Sequence, residues 1–284
     1  MAYTGNLWYA QAYQDAVMQL AQQKGSILRN AVWTKETNAE KTNFERLAGT
    51  AAVAKTTRAV ATPNVEMVHD RRTVTLVDYH WSTQHDWFDD VRMLVDPKGP
   101  YTESGAWAMG RAIDDLIIAA ARGNSVTGAG ANVALPAGQK IVEGGTAGMT
   151  LAKILQAKRI LDANEVEAED RYFVLGSRQL EDLLGVTQVT SADYAAVKAL
   201  VQGEIDSFLG FKFIRAERLA IASSKRFCMA FQKRGLGLAI GKNMMTKIDE
   251  RPDLSYAWQV YMGWSMQATR VEEERVVEVG AHEA

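Results

Sequence analysis

From residue 258 onward, apolar and polar positions alternate. Val260, Met262, Trp264, Met266 and Ala268 fall on one side, and Gln259, Tyr261, Gly263, Ser265, Gln267 and Thr269 on the other. A period of two over this length predicts a long strand with one buried face. Residues 271–279 either continue that strand or pair beside it. Residues 105–122 carry the opposite signal. Ala106, Met109, Ile113, Leu116, Ile117 and Ala120 recur at spacings of three and four, while Arg111, Asp114, Asp115 and Arg122 occupy the other faces. This predicts a helix, capped by Thr102 or Ser104 and stopped by Gly123. Residues 123–148, rich in Gly and Ala, predict a loop or short strands. Further helices are predicted at 150–163, 177–184 and 191–202. Short strands are predicted at 172–175, 211–214, 226–231 and 236–240, with a turn at Arg234-Gly235. Strands near both ends with helices between them make the fold α+β and exclude a parallel doubly wound sheet.

The first 81 residues lack an obvious core. Tyr9, Tyr13, Ala16, Val17 and Leu20 share one face of a helix predicted at 9–21, but residues 30–41 have no period. An arm with anchoring aromatics explains this pattern. Residues 44–81 read as extended, with a turn at Pro63 and Asn64 and a Val- and Thr-rich strand over 65–79. The result is a long hairpin. A two-stranded hairpin is marginal in water, so it must pack on something else.

Composition narrows the picture. The chain has 284 residues, 47% hydrophobic and 23% charged, which excludes a mostly disordered protein. Its formal net charge of −2 argues against a dedicated nucleic-acid binder and leaves little repulsion between copies. The single cysteine, Cys228, allows neither an intrachain disulfide nor a cysteine zinc site. The N-terminus shows no signal-peptide pattern. The longest strongly apolar run, 116–121, falls far short of the roughly 20 residues of a membrane span, so a soluble protein without a membrane partner is expected.

Candidate chemistry is sparse. His69, His85-Asp86 and Asp114 or Asp115 follow the chain order of ligands in HD-type metal-dependent phosphohydrolases. That fold is all-helical, however, and His69 sits in a strand pattern. Asp78, Asp86, Asp89 and Asp90 form an acidic group better suited to a solvated or interface face than to acid–base work. Gly176-Ser177 lacks the second glycine of a nucleophile elbow and has no nearby downstream His. The glycines of 123–130 precede no Gly-Lys-Ser/Thr, so they make no phosphate loop. Cys228 lies in an apolar strand and reads as an inert core thiol. The pairs Arg71-Arg72 and Lys225-Arg226 suit salt bridges to a neighbouring copy. No catalytic residue, metal site or cofactor is expected.

Three stretches carry a family resemblance. The first is Arg251-Pro252-Asp253-Leu254-Ser255-Tyr256-Ala257-Trp258-Gln259-Val260-Tyr261, with Ala268-Thr269-Arg270 and Val276-Val277-Glu278-Val279 behind it. The second runs from Phe44-Glu45-Arg46 through Thr62-Pro63 to His69-Asp70-Arg71-Arg72 and Asp78-Tyr79. The third is Gly110-Arg111-Ala112-Ile113-Asp114-Asp115 with residues 119–123. In this order, over nearly the whole chain, they resemble the major capsid proteins of tailed bacteriophages, which have the Johnson fold.

The resemblance implies an N-terminal arm (1–42) and an extended hairpin loop lying over a neighbouring subunit (43–82). It also implies a peripheral domain (83–148 and 241–284) with a spine helix at 105–122, and an axial domain (149–240). It implies a non-enzymatic homo-oligomer of pentamers and hexamers, closing an icosahedral shell around double-stranded DNA. Expected intersubunit contacts are Arg46, Arg58, Arg71, Arg72, Asp78, Asp89 and Asp90. The short segment before the hairpin implies a separate scaffolding protein. A portal protein, a decoration protein and non-specific contact with packaged DNA complete the expected partners, with assembly in the host cytoplasm and residence in the virion. Lys55 and Asn243 are the types that crosslink in some relatives, but nothing in the sequence positions them. The rivals are an encapsulin-like compartment and the metal-dependent phosphohydrolase.

Overall fold

The computed structural model describes residues 22–86, 98–142, 147–184 and 207–283. The helices predicted at 9–21 and 191–202, and Asp89 and Asp90, lie outside the described residues.

The chain runs β1 (Trp33–Glu36), β2 (Lys41–Leu47), β3 (His69–Thr75), β4 (Val77–His85), α1 (Lys98–Arg122), β5 (Ser125–Thr127), β6 (Asn132–Val133), β7 (Lys140–Ile141) and α2 (Leu151–Ala163). It continues β8 (Arg171–Leu175), α3 (Ser177–Leu184), β9 (Ser207–Phe208), β10 (Phe211–Arg215), β11 (Ile221–Ala222), β12 (Lys225–Gln232), β13 (Leu236–Arg251), β14 (Ala257–Arg270) and β15 (Val276–His282). The described strands form three sheets. A four-stranded sheet has the order β1-β13-β14-β4. A seven-stranded one has β7-β15-β12-β8-β10-β9 with β11 on β12. The hairpin sheet has β2-β3-β5-β6.

One ribbon joins the sheet β1-β13-β14-β4 to the seven-stranded sheet. β12 pairs antiparallel with β15, and β13 with β14. The chain passes straight from β12 to β13 and from β14 to β15, so both pairs belong to one ladder that changes sheet midway. The changeover is held by Gln232 N donating to Arg275 O (3.1 Å) and Val271 N to Gly235 O (2.9 Å). Residues 276–282 therefore neither extend β14 nor pair beside it, because their partner is β12.

The predicted period-two strand is β14, and Val260, Met262, Trp264 and Met266 are buried as expected. Against them lies α1, which presents Met109, Ile113 and Ile117. α1 spans Lys98–Arg122 and begins about two turns before the predicted start, so Thr102 and Ser104 are helical residues rather than caps. Gly105 faces Trp81, where an added Cβ would lie 2.5 Å from the indole, so only glycine allows the helix this close to β4. Gly123 ends the helix, its N–H reaching Ala119 O at 2.8 Å. Thr150 caps α2 by accepting from Lys153 N, as its position predicts.

Two predictions fail at the hairpin. The continuous strand over 65–79 is split at Leu76: β3 pairs with β2, whereas β4 pairs with β14. Leu76 packs against Phe44, Val74, Ala239 and Val271, and its backbone N–H donates to Glu40 O (2.9 Å), one step past the last β2–β3 pair, before the chain turns over to β14. The turn lies at residues 57–59, where Ala59 has φ +59°, and not at Pro63-Asn64. β1 had no periodic signal. It is a short polar edge strand pairing in parallel with Gly237–Ile240.

Candidate assembly interface

The hairpin has a clasped base and an open end. On β2 and β3 the inward positions are Thr42, Phe44 and Arg46, opposite Val74, Arg72 and Asp70 in register. Phe44 is fully buried, and Trp33 meets it edge-on at 5.0 Å between ring centroids. Next to this apolar contact, charge takes over. Glu273, from the changeover after β14, accepts both hydrogen bonds of Arg72 Nη2 (3.0 Å each). It also accepts from Arg46 Nη1 at 3.1 Å and Ser125 Oγ at 3.2 Å. Asp70 bridges Arg46 (3.0 Å) and Arg72 (3.2 Å). Arg270, with no exposed surface, reaches the end of α1 at Gly123 O (2.6 Å) and β6 at Val133 O (2.8 Å), and its Nε lies 3.8 Å from Glu273.

Glu273, Arg72 and Arg270 are buried, with Arg46 and Asp70 half-buried at the rim, and the energetics follow from that. Burial works to raise the Glu273 carboxyl, but hydrogen bonds and charge from Arg72, then Arg46, outweigh it and hold the group below the usual carboxylate range. Removing one partner of such a set leaves the others buried without compensation, which costs more than the set contributes when intact. The cluster is incompletely satisfied, because Arg72 Nε and Arg270 Nε are buried without a hydrogen-bond partner.

Beyond Ala48, whose N–H reaches Val68 O at 3.0 Å, the ladder stops. Residues 49–67 are exposed throughout and form no strand. Val53, Val60, Val65 and Met67 show between 44% and 62% of their surface to solvent.

The sequence-predicted contact residues separate into two kinds. Arg46 and Arg72 are engaged inside the chain by Asp70 and Glu273. Arg226 is likewise held by Glu217 (2.9 Å) and Glu283 (2.5 Å). Arg58, Arg71 and Asp78 are exposed, with no ion pair among the described residues. Sequence reasoning missed Glu273, Arg270 and Asp70 as a set, since Arg72 and Glu273 are 201 positions apart. One signal existed: Arg270 continues the inward parity of Val260 to Met266, where a charge is out of place.

The phosphohydrolase ligands do not converge. His69 starts β3 at the hairpin base. His85 ends β4 and is buried opposite Trp258. Asp114, predicted on a polar helix face, is 1% exposed because the segment before β1 lies across it. It accepts from Ser26 Oγ (2.5 Å), Gln23 Nε2 (2.5 Å), Ile27 N (3.1 Å) and Leu28 N (3.0 Å). Gly110 makes room for this crossing, since a Cβ there would lie 2.5 Å from Gly25. Asp115 pairs with Arg218. Among the described residues no group of three or more His, Cys, Asp or Glu could hold a metal. Ser177 opens α3 and its N–H donates to Glu217. Cys228 is fully buried, and that burial pushes its thiol up to about 12, an unreactive state. No helix among the described residues is long and apolar enough to cross a membrane.

Known proteins resolve the family. No curated protein sequence matches the chain. Among solved structures, the capsid of Ralstonia phage GP4 is similar at 11% identity and a TM-score of 0.76, covering 99% of this chain and 97% of that one. The capsid of cyanophage P-SCSP1u is similar at 14% identity and 0.75, covering 98% and 94%. The head of Helicobacter pylori bacteriophage KHP40 is similar at 12% and 0.73, covering 99% and 98%. These likenesses establish the α+β capsid fold and support neither the phosphohydrolase nor the encapsulin-like compartment. The sequence profile described as phage capsid protein matches residues 6–283, so the chain belongs to the phage capsid protein family and is a structural, non-enzymatic subunit of a virion shell.

Proposed function

We propose that copies of this chain assemble as pentamers and hexamers into an icosahedral shell around double-stranded DNA, with loop 49–67 bridging neighbouring copies. The observation carrying this reading is the contrast within one hairpin. Its base is clasped by buried charges, while its end holds apolar side chains with nothing of its own to cover them. Closed shells arise when identical copies repeat a symmetric contact, and many modest contacts together resist dissociation. Arg58, Arg71 and Asp78 join the bridge through rim ion pairs, which set register and encounter rate more than affinity. Asp89 and Asp90 belong to the same proposal. Arg46 and Arg72 contribute by fixing the loop from which the bridge is made.

In this reading residues 83–148 and 241–284, with α1, form the peripheral domain, and residues 149–240, with α2 and α3, the axial domain. The ribbon β12–β15 is common to both. Residues 1–42 form the arm. A scaffolding protein, a portal, a decoration protein and the packaged DNA are the proposed partners, with assembly in the host cytoplasm. Electron microscopy and light scattering of the purified chain, alone and with a candidate scaffolding protein, test the proposal. Hollow shells, tubes or rings of five or six are expected. A subunit that stays monomeric even with the scaffold overturns it.

A further inference from the structure

Between the hairpin base and the β14–β15 changeover lies a groove of about 790 Å³. Its apolar wall is Trp33, Leu47 and Val68, with 37%, 59% and 65% of their surfaces exposed. Its remaining charges are Glu45, Glu274 and Arg234, all exposed and without an ion pair among the described residues. Arg71 stands opposite Glu45 in register without closing a pair. The other charges of the groove are taken: Arg46 by Asp70 and Glu273, and Arg275 by Glu167 and Glu272.

Loop 49–67 of the same chain is the counterpart. It carries two bases and one acid, Lys55, Arg58 and Glu66, against two acids and one base in the groove. Its apolar residues are Val53, Val60, Val65 and Met67, against the wall of Trp33, Leu47 and Val68. The loop is outside any ladder, so it can lie in a groove without breaking strand pairing of its own. From Leu47 to the turn at 57–59 the chain can reach about 36–43 Å at most, far enough to leave its own base behind.

We infer that the groove at the hairpin base is the receptor for the hairpin end of a second copy. The inference rests on the reading that loop 49–67 bridges copies, and it adds where the loop lands. A contact of end on base uses two different surfaces of each subunit. It is heterologous, and a heterologous contact closes into a ring when its rotation allows. Its complementary charges fix which way the neighbour faces.

Reciprocal charge reversal in the full-length chain tests this, with shell yield read by sedimentation and electron microscopy where the unaltered chain forms shells. The groove variant is Glu45→Lys with Glu274→Lys, and the loop variant is Lys55→Glu with Arg58→Glu. All four positions are exposed, so thermal unfolding should match that of the unaltered subunit. Each variant alone is expected to lower shell yield about tenfold, and the two combined to restore most of it. Loss with the loop variant but not with the groove variant overturns the groove as receptor and leaves the bridging loop standing. Loss with neither overturns both. Loss with each but no restoration in the combination overturns the contact between them. If a reversed variant unfolds early, Glu45→Gln with Glu274→Gln takes its place. It should lower yield by a smaller factor with unchanged unfolding, and full yield overturns the receptor.

Discussion

The two ends of the hairpin come from one stretch of sequence and solve opposite problems. At the base, Phe44 and Val74 are buried, and Arg46, Asp70 and Arg72 close a network with Glu273, so the segment belongs to the subunit's own stability. At the distal end, Val53, Val60 and Met67 face solvent and no backbone ladder forms, so the segment contributes nothing to the isolated subunit. With the bridging role proposed for loop 49–67, folding and assembly are separated along the chain by a few residues. A shell subunit gains from this arrangement, because the loop can adapt to a neighbour while its root stays fixed in direction.

The comparison breaks most sharply if the base is not core. Phe44→Ala should cost about 3–5 kcal/mol in urea unfolding of the subunit, the range for a fully buried aromatic. A loss below about 1 kcal/mol would remove the base from the core. Glu273→Ala comes next, at about 3 kcal/mol, since it leaves Arg72 and Arg270 buried, and Arg46 half-buried, around an empty position. Hydrogen exchange should quicken over 41–47 and 69–75 while β12 and β15 keep their protection. Uniform quickening would show that Glu273 supports the whole subunit and not the hairpin.

Acid sharpens the same contrast. The Glu273 carboxyl is held below its ordinary value, so its stabilising contribution is fully present above the unfolded glutamate value of about 4.3 and is lost as pH falls through the lower folded value. Glu167 beside Arg275 and Glu283 beside Arg226 shift the same way. Subunit stability measured from pH 6 downward, a range set about this threshold, should therefore be flat at first and then fall, and Glu273→Gln should reduce the fall. A profile identical in the variant would refute the role given to Glu273. The smallest effect on stability belongs to the loop. Deleting residues 58–66 should change unfolding by no more than about 0.5 kcal/mol and yet abolish closed shells. Normal particles from that deletion would cancel the bridging role.

Much of this was legible in local pattern. The parity of Val260 to Met266 identified β14 and its buried face, and the three-and-four spacing of Met109, Ile113 and Ile117 identified α1. Thr150 as a cap and Gly123 as a stop were readable for the same reason, since both act within one helical turn. The order of motifs along the chain pointed to the family, and the family profile agrees. Asp114 was misread because helical spacing marks a polar face without saying what lies on it. The segment 23–28, which covers it, has no periodic signal of its own.

Sequence alone determined the helices at 150–163 and 177–184 and most of α1, the strand β14 with its apolar face, and that the hairpin has little core of its own. These follow from side-chain periodicity and backbone preference, which act over a few residues. Only the tertiary structure decided that β3 and β4 part at Leu76, that β15 follows β12 instead of β14, and that Glu273 meets Arg72 across 201 positions. A strand's hydrogen-bonding groups are alike along its length and accept any partner in register, so the choice of sheet rests on distant packing that no local pattern records.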